Sequence, residues 1–359
     1  MDLIPVTLFT GFLGSGKSTL LTEILQQPAF DKTAIVVNEF GEIGLDGILI
    51  EHSRDQIVEM TSGCLCCTIR GDIRQTLLDL HSRRARGDIP AFDRVIVEST
   101  GLADPAPVVH TLMSDPLLDR CYMLGGVVTT IDALNAVATL ENHKECEKQA
   151  AVADRLVITK TDLINSPDPE KSLGELQARL SALNPTAIIL DRYDAEFDYN
   201  RLFDTSLFDP DTKSVNVRSW LNAEASGDHH NQGNNHGHAH DHHQHHHDVT
   251  RHSADIRSFT LTFDEPVTIE AFASSLEVLS LTQGSSILRV KGIVNTIDRP
   301  GMPLVIHGVQ HVFHDPIWLD EWPDEDHQTK LVFITKGIER ETLDLFFKAW
   351  INSSKGSWR

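Results

Sequence analysis

The segment that most constrains the fold of this chain is a glycine-rich run close to its first residue. Residues 11–18 read GFLGSGKS and match G-x-x-x-x-G-K-[ST] at every fixed position. A β-branched, apolar run at residues 6–10 precedes the motif, and a helical pattern at residues 19–27 follows it. This strand–loop–helix context disfavours a chance match by an ordinary glycine-rich turn. The motif therefore predicts a phosphate-binding loop (P-loop) for a nucleoside triphosphate.

Each part of this loop has an expected role. Glycines let backbone N–H groups wrap the phosphates, and the N-terminus of the following helix adds a favourable dipole. Lys17 is predicted to reach the β- and γ-phosphates as a catalytic residue, and the Ser18 hydroxyl is predicted to bind Mg²⁺. The nucleotide-binding residues expected here are Gly11, Gly14, Ser15, Gly16, Lys17, Ser18 and Thr19.

Strand and helix patterns alternate over the first half of the chain. Further strands are predicted at residues 34–38, 94–98, 126–131, 155–159 and 187–190, with helices at residues 69–82 and after Leu173. Apolar strands that alternate with helices indicate a parallel sheet covered on both faces. We therefore predict an α/β P-loop NTPase domain over residues 1–210.

A low-complexity stretch separates this domain from the remainder of the chain. Residues 228–252 are mainly His, Asp, Asn, Gln and Gly, which cannot bury a core, and we predict a flexible linker over residues 211–254. Strand patterns resume at residues 256–263, 287–294, 304–307 and 331–335, with helical patterns at 269–279 and 340–350. These patterns predict a smaller α+β domain over residues 255–359.

Residues 98–101, which read ESTG, follow a predicted strand. The strand would deliver the Glu98 carboxylate to the phosphate end of the sheet, where it can hold the Mg²⁺ shell. The backbone N–H of Gly101 can sense a γ-phosphate. Glu98 is therefore the second predicted catalytic residue, and Gly101 is a predicted nucleotide-binding residue.

Residues 159–162, which read TKTD, follow the next strand but one. The Asp162 carboxylate can accept two hydrogen bonds from the N–H groups of guanine, whereas adenine offers no matching pair of donors. An ordinary surface turn is the alternative, but the order of the three motifs favours a base site. We therefore predict GTP rather than ATP as the nucleotide, held by Thr159, Lys160 and Asp162. No guanine-stacking motif is recognised near residues 190–194.

Three cysteines, Cys64, Cys66 and Cys67, lie within four residues. Their thiolates can converge on one soft cation such as Zn²⁺ or Co²⁺, and an open fourth position would suit transfer of the metal. The motif lies in the sequence between residues 38–42, the expected first switch, and residues 98–101, so a loop here could respond to the γ-phosphate. A redox switch and buried apolar cysteines are the alternatives.

Eleven histidines fall within residues 228–252. Neutral imidazoles bind divalent transition metals without a fixed fold, so the tract is interpreted as a fast-exchanging metal reservoir or as an inert polar linker. A purification tag is disfavoured because the tract is internal and is interrupted by Asp, Asn, Gln and Gly.

The charge balance limits the classes of partner. Lys and Arg number 31 against 52 Asp and Glu, a formal charge of −21, which disfavours nucleic acid. No apolar run reaches the ~20 residues that a membrane span needs, and no signal peptide is recognised. We therefore expect a cytoplasmic protein with reduced thiols and no membrane partner.

The ordered motifs resemble those of the CobW/YjiA-like family of metal-associated GTPases, relatives of the nickel-insertion GTPases of urease and hydrogenase maturation. The resemblance covers nearly the whole chain. The matching segments are TGFLGSGKST at 10–19, NEFGE at 38–42, SGCLCC at 62–67, ESTGLADP at 98–105, TKTD at 159–162 and LRVKG at 288–292. The family implies a GTPase domain followed by a CobW C-terminal domain. It also implies metal ligands at Cys64, Cys66 and Cys67, and metal-site or switch carboxylates at Glu39 and Glu42.

These observations together predict a GTP-hydrolysing metallochaperone that uses GTP and Mg²⁺ and delivers zinc, or cobalt, to an apo-metalloprotein client. Two other classes of function stay open. One is a metal store or sensor whose metal binding does not depend on nucleotide. The other is a GTP-controlled protein that recruits a partner and whose cysteines are structural. The oligomeric state is also open, with a homo-oligomer among the alternatives.

Overall fold

A computed structural model describes residues 3–38, 57–59, 65–69, 72–204 and 255–356. Glu39, Glu42, Cys64 and the His tract, which the sequence singled out, lie outside these residues. The first sheet ends at Asp191 and the second begins at Ile256, with the undescribed stretch 205–254 between them. The domain limits at residues 210 and 255 stay predictions.

The N-terminal sheet carries the three predicted nucleotide motifs. Its described strands are β1 (Ile4–Gly11), β2 (Thr33–Asn38), β3 (Ile57–Glu59), β4 (Leu65–Ile69), β5 (Arg94–Glu98), β6 (Tyr122–Asp132), β7 (Arg155–Thr159) and β8 (Ile188–Asp191). They lie in the order β3-β4-β2-β5-β1-β6-β7-β8. All neighbouring pairs are parallel except β3 with β4. The predicted parallel sheet is confirmed.

Helices cover both faces of this sheet. They are α1 (Lys17–Leu25), α2 (Ile73–Arg86), α3 (Ala106–Ser114), α4 (Ala136–Asn142), α5 (Lys144–Val152) and α6 (Pro169–Leu183). On one face, α1 buries Leu20, Leu21 and Ile24 against Phe9 and Val128. On the other face, α4, α5 and α6 pack over β6 and β7. The strands are apolar almost throughout because both of their faces are covered.

The helix predicted at residues 69–82 was wrong at its start. Ile69 ends β4, and the helix begins at Ile73 because the Asp72 side chain caps it by accepting a hydrogen bond from the Arg74 N–H. The cysteine motif was also assigned wrongly to a loop. The backbone of Cys66 and Cys67 lies in β4, paired with Ile35 and Val36 of β2.

The C-terminal domain is built on an antiparallel sheet. Its described strands are β9 (Ile256–Phe263), β10 (Ile287–Val294), β11 (Leu304–Val309), β12 (Val312–Phe313), β13 (Ile317–Trp318) and β14 (Thr329–Lys336). Two helices, α7 (Ile269–Gln283) and α8 (Arg340–Gly356), pack together against it around Phe263, Phe272, Phe333 and Phe347. The predicted α+β domain is confirmed. No helix in the described stretches is long and apolar enough to cross a membrane.

The two sheets meet through a buried group of charges. Asp154, just before β7, forms an ion pair with Arg289 of β10 and lies 3.3 Å from Lys291. All three side chains are at most 5% exposed. Arg289 also donates to the carbonyl oxygen of Val152, the last residue of α5. Apolar side chains of the C-terminal sheet, Leu288 and Ile334 among them, extend the core of the first domain.

Candidate nucleotide and metal site

The predicted P-loop leaves β1 in a conformation that requires glycine. Gly11, Gly14 and Gly16 have φ values of 139°, 73° and 87°, a region that side chains rarely adopt. A Cβ on Gly11 would lie 2.2 Å from the Thr130 hydroxyl. That hydroxyl lies 2.6 Å from the Ser15 Oγ, so a side chain of the neighbouring strand β6 is hydrogen-bonded to the loop. The backbone of residues 11–16 therefore forms a concave loop of the kind that surrounds a phosphate.

Lys17 begins α1 and turns back into this loop. Its Nζ donates to the carbonyl oxygens of Gly11, at 2.6 Å, and Phe12, at 3.2 Å. The side chain is only 8% exposed. Burial lowers the pKa of Lys17, and the negative charge of Glu98 acts in the opposite direction. The ammonium therefore lies inside the loop, as the predicted role of a phosphate-binding cation requires.

The structure brings together the two residues predicted to hold Mg²⁺. Glu98 is the last residue of β5, which pairs with β1, and it is 7% exposed. The Ser18 hydroxyl donates to Glu98 Oε1 at 3.2 Å. A hydroxyl and a carboxylate are oxygen ligands of the kind that Mg²⁺ accepts, and it usually takes few from protein. The donor set at this point therefore fits Mg²⁺.

The loop that carries Gly101 lies against the P-loop. A Cβ on Gly101 would approach the Leu13 backbone nitrogen to 2.7 Å. The amide of Gln149, a buried residue of α5, donates to the carbonyl oxygens of Gly101, at 3.2 Å, and Ala103, at 3.0 Å. Lys148 pairs with Asp104 at 3.0 Å. Sequence reasoning missed Gln149 and Lys148 because no local pattern marks a helix that supports a distant loop.

The predicted guanine motif is joined to the P-loop by two side chains. The Thr159 hydroxyl donates to the Ser15 carbonyl oxygen at 2.8 Å. Lys160, with a positive φ of 59°, donates to the Gly14 carbonyl oxygen at 2.7 Å and pairs with Asp132 at 2.8 Å. The phosphate and base motifs therefore form one continuous site at the carboxyl ends of β1, β6 and β7. Sequence reasoning also missed Asp132, which ends β6.

Asp162 lies in a short 3-10 turn, Thr161–Leu163, directly after Lys160. The Thr161 hydroxyl donates to Asp191 Oδ1 at 2.7 Å, so this turn is tied to the end of β8. Arg192 and Tyr193 follow Asp191, and the Tyr193 backbone N–H donates to the same Asp191 Oδ1 at 2.9 Å. The sequence offered no motif for these two residues.

The predicted metal ligands are only partly placed. Glu39, Glu42 and Cys64 lie outside the described residues, and Cys66 and Cys67 are placed by their backbone in β4. The residues that are described contain no group of three or more His, Cys, Asp or Glu able to hold a metal ion. The ligand set at the cysteine motif therefore stays a prediction.

Cys146 is a different kind of cysteine. It lines a cavity of about 320 Å³ between the P-loop residue Phe12 and α4, together with His143. Burial, and then the nearby charge of Glu147, raise the pKa of Cys146 to about 12. Its thiol is therefore protonated at neutral pH and is a poor metal ligand.

Sequence profiles of two protein families match this chain. The profile described as "CobW/HypB/UreG, nucleotide-binding domain" matches residues 5–191. The profile described as "Cobalamin synthesis protein cobW C-terminal domain" matches residues 256–350. The first match contains the P-loop, the cysteine motif and the base motif described above.

Characterised relatives are similar over nearly the full chain. The zinc chaperone YjiA of Escherichia coli is 31% identical, over 97% of this chain and 98% of its own length. The zinc-regulated GTPase metalloprotein activator 1 of Schizosaccharomyces pombe is 30% identical, over 95% and 84%.

Crystal structures of the E. coli protein have the same fold. Its Zn(II)-bound form superposes with a TM-score of 0.71, at 31% identity, over 98% of this chain and 99% of that one. A Zn(II)-bound triple mutant, in which a glutamate and two cysteines are replaced by alanine, superposes with a TM-score of 0.72. The predictions of the family and of a GTPase are confirmed: this chain belongs to the CobW/HypB/UreG family of P-loop GTPases.

Proposed function

We propose that this GTPase is a metallochaperone that binds zinc at Cys64, Cys66 and Cys67 and delivers it to an apo-metalloprotein client. The names of its relatives, a zinc chaperone and a zinc-regulated activator of metalloproteins, support this function. Its nucleotide is GTP, with Mg²⁺ held by Ser18 and Glu98. We also propose that it acts in the cytoplasm.

The observation that carries the proposal is the position of β4 relative to the phosphate site. Cys66 and Cys67 are in register with Ile35 and Val36 of β2. Those two residues are in register with Ile96 and Val97 of β5, directly before Glu98. Two strand spacings correspond to roughly 10 Å. A metal held at the motif is therefore one intervening strand away from the strand that carries the Mg²⁺ carboxylate.

This proximity supports a coupling between metal and nucleotide. A γ-phosphate would act on the Mg²⁺ carboxylate of Glu98 in β5. Only β2 separates β5 from the strand that contains Cys66 and Cys67. If nucleotide changes the affinity for zinc, zinc must change the affinity for nucleotide by the same factor. Glu39 and Glu42, at the end of β2 in sequence, are the carboxylates proposed to complete the metal site or to move with the first switch.

The residues around the phosphates favour positioning over acid–base chemistry. Lys17 would supply positive charge at the β- and γ-phosphates, and Gly101, which lies beside the P-loop, would offer its N–H to the γ-phosphate. Mg²⁺, when bound, would neutralise charge that develops between these phosphates. No sequence motif marks a general base, so intrinsic turnover should be slow without a client or another activator.

Thiolates favour zinc, but they do not select against cobalt, because both metals bind sulfur and imidazole ligands. The Zn(II)-bound triple mutant of YjiA retains zinc with a glutamate and two cysteines replaced. A test on this chain must therefore separate the cysteine motif from the His tract and from other ligands.

The proposal is tested by a competitive Zn²⁺ titration against a chromophoric chelator. The protein lacks residues 228–252 and is saturated either with GDP or with a non-hydrolysable GTP analogue, and Co²⁺ serves as the second metal. We expect the zinc affinity to differ by about tenfold or more between the two states, equivalent to about 1.4 kcal/mol of coupling. Cys66→Ser should remove this difference, whereas Cys121→Ser, outside the motif, should preserve it.

Two results would contradict the proposal in different ways. Equal and tight zinc affinities in both nucleotide states would favour a metal store or sensor. A Cys66→Ser protein with unchanged zinc content and unchanged GTP hydrolysis would favour a GTPase that recruits a partner and uses its cysteines structurally.

A further inference from the structure

The segment after β8 is held against the base motif by one carboxylate. Asp191 Oδ1 accepts a hydrogen bond from the Thr161 hydroxyl, at 2.7 Å, and from the Tyr193 backbone N–H, at 2.9 Å. The Arg192 N–H donates to the Ile158 carbonyl oxygen at 2.9 Å. The backbone of Tyr193 is therefore fixed relative to the turn that contains Asp162.

Arg192 fills the space behind Tyr193. Its Nε pairs with Glu23 of α1 at 2.7 Å, and it also donates to the Tyr199 hydroxyl. The guanidinium carbon lies 5.5 Å from the centroid of the Tyr193 ring and 5.1 Å from that of Phe197. A guanidinium held at this distance from an aromatic ring is attracted to it. The tyrosine ring thus has a rigid, charged support on one side.

Tyr193 nevertheless leaves much of its ring open. The residue is 52% exposed, although its backbone is anchored to Asp191. Partial burial, and then the negative charge of Asp162, raise the pKa of Tyr193 above its ordinary value. Since Asp191 also ties the Tyr193 backbone to the Thr161–Leu163 turn, the ring lies close to Asp162, the carboxylate that the sequence assigns to the guanine edge.

We propose that Tyr193 is the aromatic surface on which the guanine base packs. This inference rests on the proposed use of GTP. The face of the base would lie on the tyrosine ring while its N–H edge meets the Asp162 carboxylate. Stacking tolerates any base, whereas the carboxylate requires two donors. Tyr193 accordingly supplies affinity for the nucleotide, and Asp162 supplies the preference for guanine.

The experiment measures the dissociation constant of unlabelled GDP by calorimetry on the full-length protein. We expect Tyr193→Ala to weaken GDP binding by about tenfold, within the range that stacking one base on an aromatic side chain provides. Tyr193→Phe keeps the ring and should bind GDP within about twofold of wild type. Leu117→Ala removes another exposed apolar side chain, from the segment between α3 and β6, and should leave the affinity unchanged.

A second pair of variants separates the ring from the carboxylate. Asp162→Asn should bind xanthosine diphosphate in preference to GDP. The asparagine amide can donate to the C2 oxygen of xanthine, which stands where guanine has an amino group. Adding Tyr193→Ala to this variant should weaken xanthosine diphosphate binding by the same factor of about ten. If Tyr193→Ala folds poorly, Tyr193→Leu replaces it. This variant also lacks the aromatic ring, so GDP binding should again weaken by about tenfold while the melting temperature stays unchanged.

Two results would overturn the assignment of Tyr193. One is GDP binding by Tyr193→Ala within about twofold of wild type, and the other is an equal loss in Tyr193→Phe, which would implicate the hydroxyl instead of the ring. A failure of the metallochaperone proposal would appear separately, as nucleotide-independent zinc affinity in a protein whose GDP binding still responds to Tyr193.

Discussion

The Lys17 ammonium lies 2.6 Å from the carbonyl oxygen of Gly11, at the two ends of the same loop. The predicted phosphate-binding cation is thus hydrogen-bonded to its own loop, and binding of a phosphate would require it to exchange this contact. Because burial already lowers the pKa of Lys17, the partner that replaces the carbonyl must compensate the cost of burying the charge. An anionic phosphate does so.

Replacing this ammonium should abolish most of the catalysis. Lys17→Ala removes a fixed positive charge from the phosphates, and GTP hydrolysis should fall by about 100-fold or more, the usual loss for one such group. Phosphate release under saturating GTP measures the effect. Lys171→Ala, an exposed lysine of α6, is the control and should hydrolyse GTP normally. Normal hydrolysis by Lys17→Ala would exclude the assigned phosphate site.

Glu98→Gln should raise the Mg²⁺ concentration that GTP hydrolysis requires. The amide keeps the volume of the side chain but loses the negative charge that Ser18 Oγ contacts at 3.2 Å. We expect the Mg²⁺ concentration for half-maximal hydrolysis to rise by about tenfold, since a charged oxygen ligand is replaced by a neutral one. GDP binding in the presence of a chelator should be unchanged. An unaltered magnesium dependence would remove Glu98 from the metal site.

Gly101→Ala tests the contact between the two phosphate loops. Its Cβ would approach the Leu13 nitrogen to 2.7 Å, which forces the loops apart. We expect affinity for a non-hydrolysable GTP analogue to fall by about tenfold, a typical size for coupling of this kind, while GDP binding changes less. Gly174→Ala in α6, where nothing lies within 4 Å, is the matched control. Equal losses for both nucleotides would mean that the loop does not sense the γ-phosphate.

The buried charges between the sheets should dominate stability. Asp154→Asn leaves Arg289 and Lys291 buried without their carboxylate, and loss of one partner from such a group costs about 3–5 kcal/mol. Urea unfolding measures the change in the free energy of unfolding. Asp255→Asn disrupts the exposed contact with Lys336, at 4.0 Å, and should cost less than about 1 kcal/mol. Similar costs for both variants would show that the buried group is not a net structural support.

Lys291 should make stability depend on pH. Burial, and then the charge of Arg289, lower the pKa of Lys291 to about 7, with Asp154 opposing. Above that pH the folded protein binds fewer protons than the unfolded chain. The free energy of unfolding should therefore rise with pH from about 7 toward the unfolded lysine pKa of 10.5, by up to about 1.4 kcal/mol per pH unit.

Lys291→Met should remove that rise and should also make the acid limb of the curve smaller, because the charge of Lys291 helps to lower the pKa of Asp154. The pKa of Asp154 is held below its ordinary value, so its contribution is present above that value and is lost as the pH falls below it. Denaturation at fixed pH values between 3 and 10 measures both limbs. A wild-type curve that is flat above pH 7 would contradict the lysine assignment.

The phosphate and base motifs could be predicted from local sequence, because each is a short, recognisable motif that directly follows an apolar strand pattern. The strand at Arg94–Glu98 was predicted at its true limits, since an apolar run ends there at a carboxylate. The error at residues 69–82 had a local cause as well. The β4 strand is short, and its apolar residues merge with the helical period of α2, so only the cap at Asp72 marks the boundary.

Tyr193 and Gln149 were beyond the reach of such patterns. Tyr193 comes next to Asp162 only because β8 pairs with β7, and Asp191 then turns the chain toward the base motif. Gln149 meets the Gly101 loop only because α5 packs across β6 and β1. Both depend on the order of strands in the sheet, which a motif search does not provide.

Residues 148–152 of the short helix α5 contact two different parts of the molecule. Gln149 and Lys148 hold the loop beside the P-loop, while the carbonyl oxygen of Val152 accepts from Arg289 of the C-terminal sheet. Nine residues of α-helix form a stiff rod about 13 Å long. The loop beside the P-loop and the C-terminal sheet are therefore attached to the same short helix, so a displacement of α5 would shift the contacts of both.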